Sequence, residues 1–278
     1  SIDTLPISNQ YLSSGNPAWC DYDNDGDIDL FLPISTGNNK LFRNDDSTFT
    51  QITTGSIVQD GGNSFSASWG DYNGDSFMDL FVTNSNTTAN FLYKNLGNGT
   101  FQKVTSGAIV TDAGKTITSL WLDVDNDGDL DLFTPGSNGQ NTMLRRNNLY
   151  INNGNETFSK AAGTALVTDQ SNSLGVASGD IDSDGDIDLV LCTRDGNNEV
   201  YFNDYSGNNG FISLNILGTN GKATALDAKV KIKCQFDGTS SKWEHRRVTS
   251  SKGQSGESSP ILHFGTGLAT VIDSLEIK

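Results

Sequence analysis

The sequence predicts an all-β fold, a β-propeller of four-stranded blades followed by a small C-terminal β domain. Three observations point there. An acidic nonapeptide, Asp-x-(Asp/Asn)-x-Asp-x-x-x-Asp, occurs four times at intervals of 50, 52 and 57 residues. The residues flanking each copy repeat as well. The rest of the 278 residues holds no long helical periodicity, only short β-prone runs separated by Gly/Asn/Asp-rich turns. Repeats of this length, each built from several short strands, are the signature of blades stacked round an axis.

Each repeat reads the same way along the chain. Trp19, Trp69, Trp121 or, as the exception, Ser178 stands two residues before the acidic segment. Straight after it comes Leu30-Phe31, Leu80-Phe81, Leu132-Phe133 or Leu189-Val190, opening an apolar run. A third run ends in Asn44, Asn95, Asn152 or Asn203, and beyond a turn Phe49, Phe101, Phe158 or Phe211 opens a further one. A single blade cannot bury both of its faces, so the Trp and Leu-Phe positions are expected to fill the seams between neighbours. The third repeat carries an insertion around residues 134–146, expected to leave the scaffold as a longer loop. Residues 2–7 align with the outer-strand segments after Phe49 and Phe101. They are expected to pair with a blade from the far end of the chain, or with a neighbouring chain, because an unpaired edge invites aggregation.

The acidic segments themselves read as cation loops. Carboxylates crowded this closely repel one another unless a cation sits among them, and an all-oxygen ligand set suits Ca²⁺. Positions 1, 3 and 5 bring alternate side chains round one centre, and position 9 closes the shell. The predicted side-chain ligands are Asp21, Asp23, Asp25 and Asp29 in the first loop and Asp71, Asn73, Asp75 and Asp79 in the second. In the third they are Asp123, Asp125, Asp127 and Asp131, and in the fourth Asp180, Asp182, Asp184 and Asp188. Position 7 (Asp27, Phe77, Asp129, Asp186) should offer only its backbone carbonyl, since Phe77 has nothing else to give. Position 8 is apolar throughout (Ile28, Met78, Leu130, Ile187) and should anchor the loop to the core. Glycine at position 6 would allow a sharp turn. The second loop has Ser76 there, with Gly74 two residues earlier as a place to which the bend could move. Its missing carboxylate makes it the expected weakest site. An EF-hand would need Glu at position 12, where the chain has Leu32, Val82, Thr134 and Leu191. About four Ca²⁺ per chain is the expectation.

These segments resemble the FG-GAP/VCBS repeat family, whose Asp-x-Asp-x-Asp-Gly-x-x-Asp-Leu loops bind calcium on propeller blades. The resemblance covers residues 1–211. Further on, the stretch from Gly218 to Ile232, the Arg246-Arg247 run and His263-Phe264-Gly265-Thr266-Gly267 look like the ASPIC/UnbV module, which follows such repeats in secreted proteins. The resulting division is 1–210 for the propeller repeats and 211–278 for the C-terminal module.

Formal net charge is −16, yet the four loops hold 18 of the 34 acidic residues and none of the 18 basic ones. Outside the loops the chain is nearly neutral. With no basic patch, nucleic acid is not an expected partner. No run of ~18 apolar residues exists, so no membrane span is expected. The chain starts at Ser1 without Met or a leader, which reads as a mature or excised segment. Cys20, Cys192 and Cys234 are an odd number and far apart, not a disulfide framework, and Cys20 and Cys192 are expected to be buried small hydrophobes. His263 reads as a structural histidine at a turn and His245, among Glu244, Arg246 and Arg247, as solvated.

No nucleophile elbow, phosphate loop or dinucleotide fingerprint is present. With the clustered aspartates assigned to calcium, the chain is not expected to be an enzyme. The expected function is a secreted, calcium-stabilised binding or adhesion module for glycan or extracellular protein partners, a role the family resemblance supports. A polysaccharide-active enzyme or its accessory domain is one alternative. A structural subunit of an extracellular assembly is another. Dependence on several Ca²⁺ ions favours a compartment outside the cytosol. An ion present at ~100 times its dissociation constant adds about 2.7 kcal/mol of stability.

Overall fold

A computed structural model describes residues 15–85, 88–112, 116–137, 146–194, 196–218, 225, 228–248, 256–258 and 261–278. Three antiparallel four-stranded sheets follow one another along the chain. Blade 1 comprises β1 (Ala18–Cys20), β2 (Asp29–Leu32), β3 (Lys40–Asp45) and β4 (Thr48–Ile52). Blade 2 comprises β5 (Ser64–Gly70), β6 (Asp79–Asn84), β7 (Phe91–Asn95) and β8 (Phe101–Lys103). Blade 3 comprises β9 (Leu120–Leu122), β10 (Asp131–Thr134), β11 (Asn148–Asn152) and β12 (Phe158–Lys160). The acidic loop joins the first two strands of each blade. The second strand is buried on both faces, as its unbroken apolar run requires, whereas β4, β8 and β12 are the half-exposed outer edges.

Blade 4 departs from this plan. It holds β13 (Ser173–Gly179), β14 (Asp188–Thr193) and β15 (Glu199–Tyr201), and its fourth strand is β19 (Gly256–Ser258), added parallel to β13. The run opened by Phe211 does not complete this blade. It forms β16 (Gly210–Leu214), which pairs with β20 (Leu262–Gly267). The reason lies in what Phe211 packs against. Its ring stacks on His263 at 5.7 Å and lies directly over Gly185 of the fourth loop. The remaining sheet is β17 (Lys229–Cys234) between β18 (Lys242–Arg247) and β21 (Ile272–Ile277). Val230, Ile232 and Cys234 alternate inward along β17 onto Ile216, Phe236 and Phe264.

The blades join through a repeated seam. Phe31, Leu80, Val82 and Tyr93 fill the first, Phe81, Leu132 and Tyr150 the second, Phe133, Leu189 and Leu191 the third. The loop tyrosine of one blade stacks on the tryptophan of the next, Tyr22 on Trp69 and Tyr72 on Trp121, each pair at 6.2 Å and 8° between planes. Phe101 and Phe158 close these clusters from the outer strand. A hydrogen bond fixes the register. Asn95, Asn152 and Asn203 each donate their side-chain amide, at 2.8 Å, to the carbonyl at position 2 of the preceding loop: Tyr22, Tyr72 and Val124.

The first strand of every blade lines a common cavity, through Trp19, Trp69, Trp121 and Ser178 and the residue after each, and the C-terminal unit closes over it with His245, Arg246 and His263. Among the described residues no core cluster of this kind joins blade 4 to blade 1. Trp19 is 53% exposed and contacts only its own blade's Phe49 among the described rings, while Ile181, its would-be partner on the fourth loop, is 48% exposed. Among the described residues Asn44 makes no cross-blade bond of the kind seen at the other seams and donates to Ile28 of its own loop. The outward face of blade 4 leaves Val200, Phe202 and Cys192 exposed, so Cys192 is not the buried residue its apolar neighbours suggested. Cys20 and Cys234 are buried, and none of the three forms a disulfide. The expected pairing of residues 2–7 lies outside the described residues, as does most of the insertion after residue 134.

The asparagine bond is a point on which the seam can be tested. Asn152 is buried and donates to both Tyr72 and Leu130 carbonyls. Replacing it with alanine strands those acceptors and is expected to cost about 1–3 kcal/mol in urea unfolding at saturating calcium. Asn153→Ala, at an exposed neighbouring position, is expected to change stability by no more than about 0.5 kcal/mol.

Candidate metal loops

All four acidic loops fold alike, and the backbone shows why. Positions 4 and 6 both lie in the left-handed region: Asn24 and Gly26, Gly74 and Ser76, Asn126 and Gly128, Ser183 and Gly185. The bend in the second loop is therefore not relocated to Gly74, because position 4 is left-handed everywhere. Ser76 simply adopts a φ of 75° without the glycine that would make it easy. The side chain at position 3 accepts the N–H of position 5, at 3.2–3.4 Å, in every loop. The side chain at position 5 in turn accepts the N–H of position 7 at 2.8–2.9 Å. Each of these groups spends Oδ1 on the turn and keeps its other side-chain atom for a ligand or a neighbour.

Position 9 ties the loop to its blade. One oxygen of Asp29, Asp79, Asp131 and Asp188 accepts the N–H of position 2. The other accepts the N–H of Asn44, Asn95, Asn152 or Asn203 on the third strand. All four carboxylates are buried. A second lone pair on each oxygen remains for a cation. Position 7 points its side chain away from the centre. Asp27 accepts from Asp46 N–H, Asp186 from Tyr205 N–H and Asn126, and Phe77 lies against Gly97.

Position 1 distinguishes the loops. In the first three, Oδ2 of Asp21, Asp71 and Asp123 accepts the N–H of position 6. Oδ1 of Asp71 is taken by Asp75 N–H, but Oδ1 of Asp21 and of Asp123 is buried with no hydrogen-bond partner. An orphaned buried carboxylate oxygen is costly unless a cation meets it. Carboxylate oxygens of Asp21, Asp23 and Asp29 lie within 4.8 Å of one another, as do those of Asp123, Asp125 and Asp127, and of Asp180, Asp182 and Asp188. Each of these clusters can hold a metal ion. Among the described residues the second loop forms no such group, and its Asn73 amide instead bonds Asp75. Asp204 joins Asp182 and Asp184 in a further exposed group that the nonapeptide pattern does not include.

The electrostatics carry the same message. Burial pushes Asp29, Asp71 and Asp127 up to about 7 and Asp123 up to about 8, with neighbouring carboxylates adding to it. Asp79 and Asp131 are likewise raised well above the ordinary carboxylate range, again chiefly by burial. These groups resist ionisation as long as no cation compensates them.

Among the described residues neither histidine joins one of the carboxylate clusters. His263 Nε2 lies 2.6 Å from Asn126 Oδ1, and burial, aided by Arg246, lowers the imidazole to about 4. His245 is half-buried and likewise lowered to about 4 by burial, so the solvated position expected for it is not what the fold provides. Its neighbours Glu244, Arg246 and Arg247 are buried because β18 faces the loops.

Residues 21–82, 71–134, 136–191 and 180–229 match the FG-GAP-like repeat. The chain belongs to this family. Residues 218–278 match ASPIC and UnbV, so the FG-GAP-like blades are followed by a segment of that second kind. No curated protein matches the chain. A solved Agrocybe aegerita lectin, described as specifically recognising non-reducing terminal N-acetylglucosamine, aligns at 14% identity and a TM-score of 0.46. That alignment covers 95% of this chain and 71% of the lectin. Similarity at that level does not fix a ligand.

Two outcomes follow from the loop geometry. Ser76→Gly relieves a left-handed serine and is expected to stabilise the protein by about 1 kcal/mol in thermal melting, with or without calcium. The second concerns pH in a chelator. The raised carboxylates have an ordinary value of about 3.9, so between about pH 4 and about pH 8 the folded chain binds more protons than the unfolded one. Stability then falls as pH rises through that window. The melting temperature in EDTA is expected to drop from about pH 5 to about pH 8, and saturating calcium to abolish the drop.

Proposed function

We propose that each loop holds one Ca²⁺ and that the chain is a secreted, calcium-stabilised FG-GAP-like propeller acting as a binding or adhesion module. The observation that carries the metal reading is the pair of buried, unpartnered Oδ1 atoms on Asp21 and Asp123. Side chains at positions 1, 3, 5 and 9 and the carbonyl at 7 are the ligands in this reading. The ion supplies charge compensation and stiffness. The aspartates hold the turn through their remaining oxygens, so the same carboxylates serve backbone and metal. We place the end of the propeller repeats at residue 210, where β16 leaves the fourth blade for β20.

Extracellular or cell-surface placement follows from the calcium dependence, because several loops of moderate affinity fill only where the ion is abundant. Among the described residues no helix is long and apolar enough to cross a membrane. The partner in this reading is a glycan or an extracellular protein, met by loops that several blades present together. Catalysis is not part of the proposal, since the clustered aspartates are committed to turns and cation.

Calorimetric titration is expected to count about four Ca²⁺ per chain, and two or fewer would overturn the reading. The second loop is expected to fill last, because it offers three carboxylates where each of the others offers four at the side-chain ligand positions. Asn73→Asp should tighten it, and Asp125→Asn should weaken the third loop towards it. Retention of glycan or protein ligands on an array with calcium, lost in EDTA, tests the binding role. Release of new reducing ends or unsaturated products from polysaccharides would establish an enzyme instead.

A further inference from the structure

The first and third loops are covered by the C-terminal sheets, and the contact falls on the same oxygen in both. At the first loop Lys229 Nζ lies 2.5 Å from Asp21 Oδ2, and Arg247 Nη2 lies 3.6 Å from it. Lys229 also reaches Asn24 Oδ1 at 2.8 Å, and Arg247 donates to the Asp21 carbonyl at 3.3 Å. At the third loop the Gly265 N–H donates to Asp123 Oδ2 at 2.9 Å, with Arg246 Nη2 3.7 Å from that oxygen. Arg246 donates to the Gly128 carbonyl at 2.8 Å, and Lys242 Nζ lies 2.7 Å from Asp129 Oδ1. A Cβ at position 265 would sit 2.4 Å from Asp123 Oδ2, so only glycine lets β20 come this close.

Each position-1 carboxylate therefore faces two ways. Its Oδ2 is held by the C-terminal unit, and its buried Oδ1 has no hydrogen-bond partner. The first and third loops carry five aspartates each; one Ca²⁺ would offset two of these charges and the two cations that the C-terminal unit brings to each a further two, leaving one. The second loop carries three, and there the unit turns the buried carboxylate of Glu244 towards Gly74, held by Lys242 and Arg246. The fourth loop has five, but its Asp180 and Asp182 are open to solvent, which screens them.

We infer that Lys229 and Arg247 at the first loop, and Arg246 and Lys242 at the third, are positioning residues that couple calcium occupancy to docking of the C-terminal unit. The inference rests on the reading that these loops take calcium. The basic side chains hold the position-1 carboxylate by Oδ2 and so aim its buried Oδ1 inward from the opposite oxygen, in the way outer-sphere partners orient metal ligands generally. Conversely, a loop emptied of calcium loses its shape and with it the surface on which β18 and β20 rest. Calcium acts here as a latch between the propeller and its C-terminal unit.

The test uses the full chain. Lys229 and Lys242 have side chains 34% and 44% exposed, so neutral replacements are tolerated by the fold. Calorimetric titration of Lys229→Gln and of Lys242→Gln is expected to weaken one calcium site in each by roughly 10-fold. The remaining sites should stay as in the wild type, and Lys229→Arg should restore the first. Amide exchange across β17 and β18 in the wild type is expected to accelerate when calcium is removed. Unchanged or tighter calcium binding in both glutamine variants would mean that the basic groups merely repel the ion, and would overturn the inference. So would exchange in β17 and β18 that is indifferent to calcium. A wild-type chain that takes up no calcium would instead overturn the parent reading, and the titration separates the two.

Discussion

The carboxylate at the ninth position of each loop is the constraint on which the rest of this molecule hangs. It is buried, and it joins two segments that sequence keeps apart: the start of its own loop and the end of the third strand in its blade. Without the aspartate the loop would swing away from the sheet, and positions 1, 3 and 5 would lose their common centre. Burying that charge is unfavourable, and the cost is tolerable because several N–H groups and a cation-ready cluster converge on it.

Blade stacking depends on the same atoms. The asparagine whose N–H meets the ninth-position carboxylate uses its side chain to reach the preceding loop. That preceding carbonyl belongs to position 2, whose own N–H is held by the preceding ninth-position aspartate. Loop geometry and blade register are thus one hydrogen-bonded path. Aromatic stacking of Tyr22 on Trp69 and of Tyr72 on Trp121 adds apolar area to it, but the path recurs at the third seam, where Val124 and Ser178 supply no rings.

Much of this was legible in the residues. The nonapeptide and its period announced blades and loops, because a turn that gathers carboxylate oxygens needs them at fixed spacing. What the pattern hid were relations between distant segments. Phe211 matches Phe49, Phe101 and Phe158 in sequence, yet its partner is His263, which no local rule could supply. His245 read as solvated, yet its neighbours Arg246 and Arg247 are buried because their counter-charges come from loops more than a hundred residues away. Cys192 looked like a core residue by its neighbours, but a strand in a terminal blade has one face with nothing in the described structure against it. Ser76 was the most instructive. A missing glycine suggested a moved bend, whereas the loop keeps its shape and strains the serine.

The seam bond also has a direction. Every one of these asparagines reaches backwards along the chain to the loop before it. The loops also answer forwards, for the Asn24 amide donates to the Ser76 carbonyl and the Asn126 amide to Asp186. A contact supports both of its partners, so disorder on one side of a seam loosens the other side by the same measure. Failure in such an array spreads both ways along the chain from whichever blade loosens first.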